Sequence, residues 1–143
     1  MILIINTVAI GHLEIIIAKN NADFNVKKLS GELKPAEQLL PVIEETLSTM
    51  GKQISDINGL GVINGPAGLT TAKPGFTALR IGVVIANALA YALKVPVVDL
   101  ALDEFSNHQD LIDKVLIKLK SVKAESIVIP QYGREPNINK VRK

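Results

Sequence analysis

With 143 residues, 48% of them apolar, the chain is long enough for one domain with a substantial core and too short for two full ones, and persistent disorder is excluded. Sixteen Lys and Arg against fourteen Asp and Glu leave a formal charge of +2, too mild to make the chain a nucleic-acid binder by itself. The absence of cysteine excludes disulfides and thiolate metal sites, and two histidines, His12 and His108, are too few for a His-rich cluster.

The N-terminus opens on Ile2-Leu3-Ile4-Ile5 with no basic lead-in or small-residue cleavage site, so residues 2–6 read as a first strand and not as a signal peptide. After Gly11, residues 13–18 form a second aliphatic run, and Phe24 and Val26 alternate with polar neighbours in a third. Short turns between them predict an antiparallel meander. Residues 34–50 then carry a helical pattern, with Leu39, Val42, Ile43, Thr46, Leu47 and Met50 on one face and Glu37, Glu44, Glu45 and Ser48 opposite. Gly51 stops it, and Pro41 either kinks it or marks its true start.

Residues 59–64 read as a fourth strand, followed by a turn-rich segment, a long helix from Phe76 to Lys94, and a fifth strand over 96–100. The long helix has one narrow polar stripe, Arg80, Asn87, Tyr91 and Lys94, and is otherwise aliphatic, Ala or Gly. A helix apolar on most of its circumference needs two partners, one of them the sheet. Ala78, Gly82, Ala86 and Ala90 recur every fourth residue, a nearly bare ridge that lets another backbone approach closely. That ridge faces either a partner's helix or this chain's own core. The apolar run 81–93 contains Asn87 and falls short of the ~20 residues of a membrane span. The order βββαβαβ is that of a ribonuclease-H-like core, an α/β fold. Beyond it, residues 101–108 suggest a short helix, 110–120 an amphipathic helix and 126–129 a strand.

Gly65-Pro66, then Phe76-Thr77-Ala78-Leu79-Arg80-Ile81-Gly82, then Ala86, Leu89-Ala90 and Val95-Pro96, resembles the signature of TsaB-type proteins. These are non-catalytic partner subunits in bacterial synthesis of threonylcarbamoyladenosine in tRNA, with the actin/hexokinase/Hsp70-like fold. The resemblance runs from the first residue to about Leu102 and is specific over 76–82; Tyr132-Gly133-Arg134-Glu135-Pro136 is similar to the ending of such proteins. The family passes from Gly-Pro almost directly to Phe-Thr, whereas residues 67–75 intervene here. The resemblance implies an actin-like N-terminal lobe over 1–102 and a shortened C-terminal remnant over 103–143 packed on the same domain. It also implies a cytoplasmic protein that pairs through its two helices with a TsaD-type catalytic subunit and is joined by a TsaE-type ATPase. ATP or ADP and tRNA would belong to the assembled complex, and alone the chain would self-pair through the same helices. On this reading the interface comprises Leu39, Ile43 and Leu47 of the first helix and Ala78, Gly82, Ala86 and Ala90 of the second.

The chemistry visible in the residues is sparse. Active members of the actin-like superfamily usually end the first strand on an Asp, which positions a metal or water beside the nucleotide; Asn6 stands here, and a neutral amide is no base. The segment 65–75 is Gly-rich and offers Thr70, Thr71 and Lys73 as a phosphate-contacting loop, but Pro74 after Lys73 breaks the Walker pattern. No Ser/His/acid or Cys/His set suggests itself, and His108 reads as a surface residue of a helix end. The alternative function, from a different class, is a small actin-like ATPase or phosphotransferase lobe.

Overall fold

The computed structural model describes residues 1–8, 11–65 and 76–131. Five strands, β1 (Ile2–Asn6), β2 (His12–Asn20), β3 (Asp23–Ser30), β4 (Gly59–Ile63) and β5 (Val97–Leu100), form one sheet in the order β3-β2-β1-β4-β5. The first three pair antiparallel, and β1, β4 and β5 run parallel. Parallel strands need crossovers, and two helices supply them: α1 (Pro35–Thr49) and α2 (Phe76–Leu93). Pro41 lies inside α1 on its exposed side, so the helix begins before it, at Pro35.

Side-chain parity fixes which helix covers which face. Ile2 pairs with Gly59 and Ile4 with Gly61, and a Cβ at either glycine would point at Leu119 or Val115. Both belong to a third helix, α3 (His108–Leu119), which therefore lies on the even-numbered face of β1. The bare backbone at Gly61 lets Val115 pack close, 3.0 Å from where a Cβ would stand. Thr7 belongs to the opposite face and meets α2. The core between these layers is almost purely aliphatic: Leu3, Ile5, Ile15, Ile17, Leu39, Ile43, Leu60 and Leu79 are each fully buried.

Three expectations change. Residues 101–108 hold only a 3-10 turn, Leu102–Glu104, before α3, whose start at His108 is capped by the Asn107 side chain accepting from the Asp110 N–H. His108 is not a plain surface residue of a helix end: it is half-buried, hydrogen-bonded to Glu14 at 3.1 Å and edge-on to Phe24. Residues 126–129 are extended but join no ladder. No helix among the described residues is long and apolar enough to cross a membrane.

At the end of α2, Lys94 adopts φ 58°, left-handed backbone that costs a non-glycine residue about 1 kcal/mol. Lys94→Gly should therefore raise stability by up to about 1 kcal/mol in a chemical melt. An unchanged or lower midpoint would show that the Lys94 side chain contributes more than the backbone strain it imposes.

Candidate interaction face

Helix α2 lies on the sheet through Leu79, Gly82, Val83, Ala86 and Ala90, all buried. The small-residue ridge thus points inward. A Cβ at Gly82 would clash with Thr7 Oγ1, which itself donates a 2.6 Å hydrogen bond to the Ala78 carbonyl. The close approach that the ridge permits is to the end of β1, not to another molecule. On α1, Leu39, Ile43 and Leu47 are likewise buried in the core, at 0%, 0% and 1% exposure. Of the seven residues expected at an interface, six are covered by this chain's own elements, and Ala78 alone is partly exposed.

Exposed apolar side chains lie beyond them all the same. Val84 is 61% and Tyr91 86% exposed on the outer side of α2, and Leu40 is 44% exposed on α1. The sequence carried a signal for this face: Arg80 and Tyr91 of the polar stripe are exposed, and Val84 falls between them on the same side of the helix. Glu44 and Glu45 are both exposed on α1. Thr70, Thr71 and Lys73 lie outside the described residues, as does the motif at 132–136.

Polar groups gather at the carboxyl ends of the parallel strands, where open α/β sheets usually place their ligands. There, the Asn6 Oδ1 accepts from the Val8 N–H at 3.2 Å, and the Thr7 hydroxyl is spent on Ala78. Asn64, 2% exposed, donates through Nδ2 to Asp99 Oδ2 and to the Ile129 carbonyl, both at 2.7 Å, and accepts from the Gln131 N–H at 2.8 Å. On α2, the Asn87 side chain donates to the Val128 carbonyl and accepts from the Val128 N–H, both at 2.9 Å. Residues 126–131 therefore form an extended strap in which two asparagine side chains, and not a neighbouring strand, bond the backbone of Val128, Ile129 and Gln131, which is why it joins no ladder. Nearby, Lys118 Nζ donates to the Asp99 carbonyl at 2.8 Å and lies 3.3 Å from Glu104 Oε1. The Ala101 N–H and Lys118 together hold the Glu104 carboxyl below its ordinary value. No group of three His, Cys, Asp or Glu that could hold a metal is present among the described residues.

Residues 34–101, which contain α1, β4, α2 and β5, match the family model described as "TsaD: tRNA N6-adenosine threonylcarbamoyltransferase". The tRNA threonylcarbamoyladenosine biosynthesis protein TsaB of Escherichia coli (strain K12) is 36% identical over 70 residues, 47% of this chain and 27% of that protein. The tRNA N6-adenosine threonylcarbamoyltransferase of Geotalea uraniireducens (strain Rf4) is 41% identical over 64 residues, 45% of this chain and 17% of that one. YeaZ from Pseudomonas aeruginosa superposes with a TM-score of 0.59 at 21% identity, covering 70% of this chain and 43% of that structure. The chain resembles TsaB.

Its mixed sheet with flanking helices is the actin/Hsp70-like fold seen in YeaZ. The chain spans about a quarter of its E. coli relative and under a fifth of the transferase. The stretch matched by the family model is the one that builds the α1/α2 layer, whose outer side carries Leu40, Val84 and Tyr91.

Proposed function

We propose that this chain is a non-catalytic partner subunit of a TsaD-type tRNA threonylcarbamoyl transferase, acting in the synthesis of N6-threonylcarbamoyladenosine at adenosine 37. The observation that carries the reading is an outward apolar surface on the α1/α2 layer of a lobe similar to TsaB. The family model named for the transferase matches residues 34–101, which hold α1 and α2, so a partner of that type presents a related helix pair, and the contact sets like elements against like. A TsaE-type ATPase joins the assembly, nucleotide and tRNA belong to the complex, and copies of the chain alone pair through the same face. Within this reading, 1–102 is the N-terminal lobe and the stretch from 103 packs on the same domain, as α3 on β4 and β5 supports. The cytoplasm is the compartment in which tRNA is modified.

The match to transferase sequences favours one second reading, an actin-like ATPase or phosphotransferase lobe. Against it, Asn6, Thr7 and Asn64 at the strand ends are each engaged by this chain's own groups. Titration of the chain with ATP and Mg²⁺ should give no tight binding. A Kd in the low micromolar range, about 8 kcal/mol, would revive the enzyme. Adding the chain to its cognate transferase subunit, the ATPase subunit, threonylcarbamoyl donor and tRNA should raise the yield of modified adenosine. Equal yield with and without the chain would overturn the proposal.

A further inference from the structure

The strap at 126–131 has an orientation that its own burial does not explain. Val128 is 7% exposed and packs inward, whereas its neighbours Ile127 and Ile129 are 72% and 66% exposed. An extended segment that only covered an edge would put its branched aliphatic residues inside and polar ones outside. Here the register is held by Asn87, which engages both the N–H and the carbonyl of Val128, and by Asn64, which engages Ile129 and Gln131. A slip of one residue would turn both isoleucines inward and Val128 out, so the two asparagines decide which side of the strap meets the outside.

The strap also has a definite place in the layer. Val97, Asp99 and Asn64 share the face of the sheet that α2 covers, and Ser126 bonds Val97 at the start of β5 while Ile129 bonds Asn64 beyond the end of β4. The strap thus lies beside α2 and antiparallel to it. Tyr91 and Ile127 line one surface cavity of about 730 Å³ together with Asn87 and Lys94. Leu40, Val84 and Tyr91 alone expose on the order of 350 Å², within the range of ordinary monomer surfaces. Ile127 and Ile129 bring the summed exposed area of these five residues to roughly 600 Å², against the ~800 Å² that one side of a stable interface buries.

We infer that residues 126–131 form the third strip of the docking face, presenting Ile127 and Ile129 to the same transferase-type subunit that meets α2, with Asn64 and Asn87 as the positioning residues. This rests on the proposed function, and the test separates the two. Binding of the cognate transferase subunit is measured by calorimetry for the full chain and three variants: Val84→Ser with Tyr91→Ser, Ile127→Ser with Ile129→Ser, and Asn87→Ala. All the substituted serine positions are exposed, so cooperative melts are expected. The strap pair should weaken Kd by about tenfold or more. Asn87→Ala should weaken it too, although both isoleucines remain, with faster hydrogen exchange at the Val128 amide.

If the helix pair of substitutions weakens binding and the strap pair leaves Kd unchanged, the proposed function stands and the strap inference falls. If the strap pair weakens binding and the helix pair does not, the strap is the docking element and the helix face falls. If both change only self-association, the occupant is a second copy and the inference is overturned. If the unaltered chain binds no transferase subunit, the proposed function fails and the inference with it.

Discussion

Gly82→Leu should destabilise the chain by about 3 kcal/mol or more, lowering its melting midpoint before any effect on association is read. Even a Cβ at this position would strike Thr7 Oγ1, and Thr7 cannot withdraw freely, being 1% exposed and hydrogen-bonded to the Ala78 carbonyl one turn earlier on the same helix. A longer side chain must push α2 off the sheet or break that bond, and overpacking of this kind typically costs ~1–3 kcal/mol, with about 1 kcal/mol more for the lost bond. The coupling is testable with smaller changes. Gly82→Ala should cost about 1–2 kcal/mol, and adding Thr7→Ala should recover part of it, because removing Oγ1 leaves ordinary contact between the two Cβ atoms. Additive losses in the double variant would show that the two residues do not meet.

Asn64→Ala should cost about 2–4 kcal/mol, which is large for one neutral side chain. Three hydrogen bonds disappear together, to Asp99, Ile129 and Gln131, at a position 2% exposed. The loss should be accompanied by release of the strap, read as faster exchange at the Gln131 amide while amides of β1 and β4 keep their protection. A melt within about 0.5 kcal/mol of the unaltered chain would mean that water replaces the Asn64 amide at little cost.

Much of the fold was legible because its determinants are local. Short aliphatic runs marked β1 and β2, alternation at Phe24 and Val26 marked β3, and the 3.6-residue pattern bounded α1 and α2 to within a residue or two. The strand expected at 126–129 was misread for a physical reason. Ser-Ile-Val-Ile has the composition of a strand, but the backbone of Ile129 and Val128 is bonded by the side chains of Asn64 and Asn87, 65 and 41 residues away, and no spacing announces that. The ridge of Ala78, Gly82, Ala86 and Ala90 reads as room for another backbone, and a close approach does occur at Gly82. What approaches is Thr7, 71 residues from Ala78, so the outward surface had to be found on the opposite side, around Val84 and Tyr91. The polar stripe of Arg80 and Tyr91 was the better guide to the outside of α2 than its small residues were to a partner.

The central claim is that this lobe acts by docking, and the mass of the species formed on mixing tests it most directly. Light scattering on an equimolar mixture of the full chain and its cognate transferase-type subunit, at concentrations well above 1 μM, should show one particle with the summed mass of the two. The complex should be lost when Val84 and Tyr91 are both replaced by Asp, with the melt of the chain unchanged. Two separate particles in the unaltered mixture, or a complex indifferent to Val84 and Tyr91, would contradict the account.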